Sequence, residues 1–326
     1  MNAVIAGAAP WRLPLSRELT LVVVTVVLAA IVGALNHDFV SVQNLRFMLL
    51  NSVVLSLVAL GQTLVISMRG IDLSVAPLLG LAAMVCGLLA QSHGLPLGQA
   101  MLLALAMGLV LGTFNGVLVA TLNIPPIVVT LGTYSLYSGL IFLYSDGTQV
   151  DSVPPAYAAF GNGHLFDALP LPTPVLVLAV ALALSWYLLR HTRFGRAILA
   201  VGNNAAAAYH AGLPVTWVRI RVYALSGMLA SFAGLMFVCY TGSATVTAGT
   251  GDHIELQSIA VSLVGGTAIA GGRGNLIGSV LGSLFLSVVL TALVFLHVPP
   301  IWYSAGEGLM ILAAVQSGLR RKRAAA

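Results

Sequence analysis

Long apolar runs, interrupted only by short polar stretches, cover almost the whole chain. A helix needs about 17 to 25 mostly apolar residues to cross a bilayer. The pattern predicts about ten transmembrane helices, at residues 19–35, 47–67, 74–90, 98–121, 125–145, 173–189, 222–240, 256–269, 276–296 and 301–316. The run at 256–269 has only 14 residues, which is less than a full crossing requires.

Composition points to the same class. Hydrophobic residues make up 59% of the chain and charged residues 7%, whereas about 25% of the residues of a soluble protein are charged. The chain is therefore predicted to be an all-α integral membrane protein. One transmembrane domain, residues 19–319, lies between an N-terminal segment, 1–18, and a basic tail, 320–326.

The basic residues predict the orientation, because cytoplasmic loops carry an excess of Lys and Arg. With ten spans and both termini in the cytoplasm, every Lys and Arg of the 14 falls on the inner side except Arg46. Without the short run at 256–269, Arg273 and the basic tail would fall outside. The net charge of +5 thus comes from residues at helix ends, and no nucleic-acid partner is expected.

The first run has a second interpretation, as the core of a signal peptide. Val32-Gly33-Ala34 could serve as a cleavage site. We favour a retained first helix, because the topology is consistent with it.

The inner loop at residues 190–221, called the docking loop below, carries five Arg and no Asp or Glu. A short helix is predicted inside it. Asn203 or Asn204 can cap its start, Gly212 suits a left-handed C-terminal residue, and Pro214 prevents continuation. The pattern predicts a rigid helix offered to the cytoplasm; a plain connector is the alternative.

Four polar residues on predicted spans are candidates for a translocation path: Asn51, Gln62, Asn115 and Glu307. Asn51 and Gln62 are 11 residues apart, about three helical turns, and so share a helix face. Polar groups inside a membrane are often functional. The alternative role for the three amides is hydrogen bonding between helices.

Other polar features have structural interpretations. Asp72 can cap the helix that follows it, although an acid at membrane depth can also be functional. Glu255, ahead of the short run, poses the same question. A glycine-rich turn contains Gly271, Gly272, Arg273 and Gly274. It lacks the Lys-Ser or Lys-Thr pair of a phosphate-binding loop, so nucleotide binding by this chain is not expected.

No catalytic or metal-binding constellation is predicted. The seven His are scattered, and Cys86 and Cys239 lie in apolar runs without metal-ligand spacing. A weak internal repeat is possible at a spacing of 204 residues, where Gly61, Thr63, Arg69 and Gly70 match Gly265, Thr267, Arg273 and Gly274.

Several stretches together resemble the permease subunit of bacterial ATP-binding-cassette (ABC) importers for simple sugars of the ribose, xylose and galactose type. They extend over nearly the whole chain. The stretches are Gly61-Gln62-Thr63, Gly70-Ile71-Asp72-Leu73-Ser74, Ile124-Pro125-Pro126 through Thr133, Phe194-Gly195-Arg196 through Asn203, Ala207-Ala208 with Gly212, and Gly265-Gly266-Thr267 through Gly274.

The resemblance implies a protein of the bacterial inner membrane that is not itself an enzyme. It implies that the docking loop couples to a cytoplasmic ATPase, which binds ATP and Mg. A periplasmic binding protein would deliver a simple sugar, and a second permease copy or homologue would complete the path. The coupling residues implied are Gly195, Arg196, Gly202, Asn203, Asn204, Ala207, Ala208 and Gly212.

The sequence departs from the family pattern in two places. Ala206 stands where the docking signature has Glu, and the later Ile-x-Leu-Pro part of that signature is not recognisable. Val75-Ala76 replaces the frequent Val-Gly. These departures leave the individual residue contacts with the ATPase unassigned, but not the location of the docking loop. The rival hypotheses are a secondary transporter, which would work without an ATPase and would place acids at mid-span, and a membrane-embedded transferase.

Overall fold

The computed structural model describes residues 17–166, 169–299, 301–303, 305, 306 and 308. In this part of the chain, eight helices are long and apolar enough to cross a membrane. They are α1 Arg17–Leu35, α2 Val42–Ser67, α3 Val75–His93, α4 Leu97–Thr121, α5 Pro126–Ser145, α7 Thr173–His191, α10 Val215–Thr241 and α12 Leu276–Phe295. The prediction of an all-α membrane protein is confirmed.

Shorter elements connect these helices. They are a 3-10 turn His37–Val40, α6 Pro155–Asn162, α8 Arg193–Asn203, α9 Ala205–His210, α11 Ile254–Val264, and the strands β1 His164–Phe166 and β2 Leu169–Pro172. The two strands pair antiparallel in one hairpin. Most of the predicted run at 301–316, including Glu307, lies outside the described residues.

Local sequence explains where several of the long helices begin and end. The Ser41 hydroxyl accepts the amide N–H of Asn44 and so caps α2. Pro126 opens α5, where its missing N–H costs nothing. Gly94 and Gly242 end α3 and α10 in the left-handed conformation. These signals are short-range, which is why the sequence placed most of these ends within a few residues.

Helix α10 lies at the centre of the bundle and packs against α2, α3 and α4. Three glycines spaced four residues apart, Gly108, Gly112 and Gly116, bring the α4 backbone against that of α10. Small residues at this spacing allow close helix contact in membranes. By contrast, α1 is mostly exposed among the described residues and packs mainly on α12.

The crossing that contains α3 is only partly helical; it is called the interrupted crossing at α3 below. After α2 ends, residues 70–74 run without helical structure, and α3 begins only at Val75. Ser74 is hydrogen-bonded to Asn115, which lies six residues, or about 9 Å, before the end of α4 at Thr121. The α3 helix therefore starts well inside the bundle and not at its inner surface.

The prediction of a full helical span at 256–269 is wrong, because this crossing is also interrupted. The helix found there is α11, with 11 residues and a length of about 16 Å, too short to cross a bilayer. Its first residue, Ile254, lines a cavity with Leu55, which lies 12 residues, or about 18 Å, before the end of α2. Residues 245–253 supply the outer half of the crossing without regular helix.

The two interrupted crossings lie side by side. A Cβ on Gly80 of α3 would collide with the carbonyl oxygen of Ala248, and one on Gly249 would lie 2.7 Å from the carbonyl oxygen of Ala76. Ile71 packs in a cluster with Ile259 of α11. The start of α3 is therefore flanked by the non-helical residues 248–249, and the middle of α11 by the non-helical residue Ile71.

The possible internal repeat stays a prediction. Its matched glycines have different settings, because Gly61 lies inside α2 against Ser226 whereas Gly265 ends α11 against Gly278.

Candidate functional site

The docking loop contains more helix than the sequence indicated. Residues Arg193–Asn203 form α8, which the sequence analysis did not predict, ahead of the short helix α9. At the other end, α10 begins at Val215, seven residues earlier than expected, so Arg219 and Arg221 lie on a membrane helix. The loop proper is thus two short helices held between α7 and α10.

Helix α9 has the expected ends. The Asn204 side chain accepts the amide N–H of Ala207 at the N-terminus. At the C-terminus, Leu213 N–H bonds to the Ala208 carbonyl across Gly212, whose φ is +81°. This arrangement is a Schellman ending, which favours glycine at the left-handed position. The helix is therefore a defined unit with little freedom at either end.

One side of α9 faces away from the protein. Ala208 is buried, whereas Ala206, Ala207 and Tyr209 are exposed. Trp217, at the start of α10, is exposed nearby in the chain. The surface that remains open is apolar and lies on the side where the basic residues collect, so it is suited to contact another protein.

The start of α8 is fixed by close packing. Gly195 lies against the carbonyl oxygens of Leu188 and Leu189, where a Cβ would not fit. The Thr192 hydroxyl caps the helix by accepting the Gly195 amide N–H. Arg196 is exposed on the next turn. Helix α8 is thereby tied directly to the end of α7.

The end of α8 meets two other inner segments in a cluster that we call the inner junction: Ser67, Arg69, Gly202, Asn203, Gly271 and Gly272. A Cβ on Gly202 would collide with the Ser67 carbonyl oxygen, and one on Gly272 with the Asn203 side chain. The Gly272 amide donates to the same Ser67 carbonyl at 2.8 Å. Glycine is required here because three backbones approach within contact distance.

Arg69 joins the same three segments through its side chain. Its Nε donates to the Ala270 carbonyl at 2.6 Å and its Nη2 to the Asn203 carbonyl at 2.7 Å. Arg69 has a φ of +65°, which is uncommon for a residue other than glycine. The sequence analysis assigned Arg69 only to the inner side; no local signal marks its two distant acceptors.

The glycine-rich turn is part of this cluster. The Ala268 amide donates to the Arg273 carbonyl and the Gly271 amide to the Ala268 carbonyl, which closes the turn. Gly274 lies against the Ser67 hydroxyl, and Arg273 is exposed. The structure thus joins two features, the turn and the docking loop, that the sequence analysis treated separately.

Asp72 forms the centre of a buried polar network. One carboxylate oxygen accepts the Ser74 amide N–H at 3.1 Å and the Ser74 hydroxyl at 2.6 Å, and the other accepts the Ser226 hydroxyl at 3.2 Å. The helix cap itself is Ser74. The expectation that Asp72 caps α3 is therefore replaced by a turn of the Asx type, immediately before that helix.

Asn115 belongs to this network. Its amide nitrogen donates to the Ser74 hydroxyl at 2.7 Å, and its oxygen accepts from the Tyr137 hydroxyl at 3.3 Å. The network links α4, α5, α10 and the interrupted crossing at α3. Ser226 and Tyr137 were not singled out from the sequence; their polar groups within apolar helices were the available signal.

Asn51 and Gln62 have different surroundings. The Asn51 oxygen accepts from the Tyr240 hydroxyl at 2.5 Å, and Asn51 lines a cavity of about 180 Å³ with Asp252, Gln257 and residues of α12. Gln62 is fully buried, and neither side-chain atom has a hydrogen-bond partner among the described residues. A path role for these residues stays a prediction.

Residues 245–253, called the mid-membrane segment below, are a polar and partly exposed part of this crossing. Thr245, Thr247, Asp252 and His253 are exposed there. His253 has a φ of +52° and lies 3.6 Å, Nδ1 to Oε1, from Glu255. The other Glu255 oxygen is buried and has no partner in the described part of the chain. The segment thus presents exposed hydroxyl, carboxylate and imidazole groups, although the Thr245 and Thr247 hydroxyls also bond to each other at 3.2 Å.

Comparisons with known proteins agree with this architecture. Residues 44–315 match the family described as "Branched-chain amino acid transport system / permease component". No solved structure matches the chain.

Three similar curated proteins are each named Autoinducer 2 import system permease protein LsrC. That of Escherichia coli O9:H4 (strain HS) is 35% identical over 318 residues, with 94% of this chain and 91% of that protein covered. That of Salmonella typhi is 35% identical over 318 residues, covering 94% and 90%. That of Yersinia pseudotuberculosis serotype O:1b is 34% identical over 300 residues, covering 92% and 84%.

The family match spans most of the chain, and the relatives align along almost all of it. They are transport subunits, so the secondary-transporter and transferase hypotheses are not favoured. An ABC permease works with a separate ATPase and a periplasmic binding protein. The chain belongs to this permease family and is the multi-pass, inner-membrane permease subunit of a bacterial ABC importer of the sugar-transporting type.

Proposed function

We propose that this permease carries a small, neutral, hydroxyl-rich solute along its mid-membrane segment, with a second permease copy completing the path. The observation that supports this is the exposure of Thr245, Thr247, Asp252 and His253 beside two interrupted helices. In known transporters, substrate sites lie near the bilayer midplane where helices are discontinuous.

The membrane environment gives the physical reason. Backbone that is neither helix nor barrel is tolerated at membrane depth only where protein buries it or water lines it. The mid-membrane segment is irregular and partly exposed, so lipid contact would leave its polar groups unpaired at several kcal/mol each. A water-filled path bounded by a second copy removes that cost.

The charges of the segment disfavour an anionic substrate. Asp252 and Glu255 are both acids, and His253 lies between them in sequence. An anionic solute would be repelled, whereas hydroxyl groups can donate to the carboxylates and accept from the His253 imidazole. The adjacent cavity adds the Gln257, Ser287 and Thr291 side chains. These are the groups expected to contact a sugar or a sugar-like molecule.

The first candidate substrate is autoinducer 2, because the similar relatives are named for its import. Simple sugars such as ribose are the next candidates, since the motifs of the chain are similar to permeases for them. The polar groups of this segment can hydrogen-bond to either kind of solute, so the transport assay below distinguishes them.

Energy enters through the docking loop in this proposal. The exposed surface of α9, with Ala206, Ala207 and Tyr209, contacts the cytoplasmic ATPase. ATP and Mg are bound by that subunit and no cofactor by this chain. Closure of two ATPases moves the docking loops, and the path then opens alternately to either side, as a two-state element biased by a partner requires.

Transport by the assembled importer tests the function. The permease, its ATPase and its binding protein are co-purified and placed in liposomes, and uptake of labelled autoinducer 2, ribose and xylose is measured with and without ATP. We expect saturable uptake of one of these solutes that requires both ATP and the binding protein. Uptake by the permease alone would contradict the proposal.

A cross-linking experiment tests the shared path. Cys86 and Cys239, both buried, are replaced by Ala, and His253→Cys is introduced. We expect oxidation to join two permease copies through this position in native membranes. Leu184→Cys is the matched control, because Leu184 is an exposed apolar residue of α7, outside the mid-membrane segment. Equal cross-linking at both positions, or none at His253→Cys, would argue against a path shared at this segment.

A further inference from the structure

We propose that Arg69 is a positioning residue that transmits movement of the docking loop to the interrupted crossing at residues 70–74. This inference rests on the proposed coupling of the docking loop to an ATPase. It adds a residue and a physical connection that neither the sequence motifs nor the family match assigns.

The connection is direct at both ends. Arg69 Nη2 donates to the carbonyl of Asn203, and the next residue, Asn204, is the N-cap of the docking helix α9. On the other side, Arg69 is followed at once by the non-helical residues 70–74, which hold Asp72 and its buried network. Only one peptide unit separates the Arg69 side-chain contact from the docking helix.

The guanidinium also fixes the third segment of the inner junction. Its Nε donates to the Ala270 carbonyl at 2.6 Å, while Gly271 packs against the Arg69 side chain. A guanidinium is a planar group with donors in fixed directions, so binding two carbonyls constrains them relative to each other. A movement of Asn203 is thereby passed to both the glycine-rich turn and the α2–α3 connection.

Two nearby polar and steric contacts do not substitute for this link. The Gly272 amide bonds to the Ser67 carbonyl, which ties the turn to the end of α2, but this bond does not include Asn203. The contacts of Gly202 are steric and resist approach only. Arg69 supplies a hydrogen bond that resists separation of α8 from the crossing, so it can transmit a pull as well as a push.

The backbone of Arg69 is informative as well. A left-handed conformation costs a residue with a side chain about 1–2 kcal/mol, whereas glycine adopts it freely. Strained residues of this kind are retained where the surrounding structure or function requires them. The side chain of Arg69 makes both of its contacts from this conformation, which is consistent with a role that glycine would not fulfil.

Because Arg69 is left-handed, Arg69→Gly is a sharp test: the substitution removes the side chain and at the same time relieves the backbone strain. The assembled importer is compared with wild type in liposomes for three quantities: ATPase retained on co-purification, ATP hydrolysis, and solute taken up per ATP hydrolysed. We expect normal ATPase retention and hydrolysis, but a fall in uptake per ATP of about tenfold or more, the scale of a lost charge-assisted hydrogen bond. Arg69→Lys, which keeps the charge without the planar fork, should recover part of the coupling.

Lys322→Ala is the control for charge. It removes one positive charge from the basic tail at residues 320–326, which is predicted to lie on the same side of the membrane, and we expect uptake per ATP to stay at the wild-type level. Wild-type uptake per ATP in Arg69→Gly would overturn the proposal. Loss of the ATPase from Arg69→Gly would also overturn it, since Arg69 would then hold the docking surface in shape and not transmit movement. A failure of the proposed function itself is separate, because wild type would then show no ATP-dependent uptake.

Discussion

At the inner junction, the described backbone groups and the Arg69 side chain bond to one another across three segments, and glycines let the chains approach closely. The mid-membrane segment differs: it is exposed, its backbone is irregular, and one buried oxygen of the nearby Glu255 lacks a partner among the described residues. Unpaired buried polar groups cost about 1–3 kcal/mol each. The first region is built to hold its shape, and the second leaves polar groups available for something outside the chain.

The largest expected effect on uptake comes from adding one methyl group to the inner junction. In Gly202→Ala, the Cβ collides with the Ser67 carbonyl, and forced overpacking costs about 1–3 kcal/mol. We expect a lower apparent Tm in detergent and loss of uptake. Gly132→Ala on α5, where a Cβ meets nothing within 4 Å, should leave the Tm unchanged or raise it. A normal Tm for Gly202→Ala would show that the junction is less tightly packed than the structure indicates.

The next effect is loss of the buried network beside the junction. Asp72→Ala leaves the donors of Ser74 and Ser226 without their acceptor, at about 1–3 kcal/mol for each unpaired group. We expect less folded protein in the membrane and a lower apparent Tm.

Asp72→Asn is the matched variant, because the amide oxygen can still accept from Ser74. The amount of folded Asp72→Asn protein in the membrane should be close to that of the wild type. If Asp72→Ala were as stable as Asp72→Asn, the hydrogen bonds of this carboxylate would not contribute measurably to the fold.

A smaller effect is expected at the docking helix. Asn204→Ala removes the side-chain acceptor for the Ala207 amide, a loss of about 1 kcal/mol of local helix stability. We expect the amount of co-purified ATPase to fall several-fold while the apparent Tm of the permease stays the same. Asn204→Asp, which preserves the cap, should retain the ATPase. Equal retention in Asn204→Ala would mean that docking does not depend on a preformed α9.

The smallest stability effect should come from the mid-membrane segment. His253→Gly removes a side chain from a left-handed position, and glycine relieves about 1–2 kcal/mol of strain against a cost of about 0.5–1 kcal/mol in chain entropy. We expect an apparent Tm close to that of the wild type, because loss of the 3.6 Å contact with Glu255 offsets the relieved strain, together with reduced uptake. Asp146→Gly, at a left-handed outer position with φ of +49°, should change the Tm similarly and preserve uptake. Unchanged uptake in His253→Gly would remove the imidazole from the proposed path.

Prediction from the sequence succeeded where the signal is local. The apolar runs identified α1 to α5, α7, α10 and α12, and the Asn204 and Gly212 ends of α9 were read from neighbouring residues. The structure corrected the run at 256–269 to the 11-residue helix α11. It also added α8, which has two Arg and two Gly among its 11 residues and therefore contains no apolar run long enough to cross a membrane.

The candidate site was predicted less completely than the fold. Asp72 was recognised, but its partner Ser226 lies 154 residues away. Arg69 was seen only as a basic residue, since its acceptors at Asn203 and Ala270 are 134 and 201 residues away. Spacing along a helix cannot indicate contacts of this separation.

The sequence by itself determined that the protein is a bundle of membrane helices, because hydropathy acts residue by residue on transfer into a bilayer. The orientation and the cytoplasmic position of the docking loop stay predictions from the distribution of Lys and Arg. Only the tertiary structure decided which crossings are interrupted and which distant segments meet at Arg69. Those features depend on backbone approaches of a few ångströms between parts of the chain that are far apart in sequence, and on whether packing leaves each polar group paired or exposed.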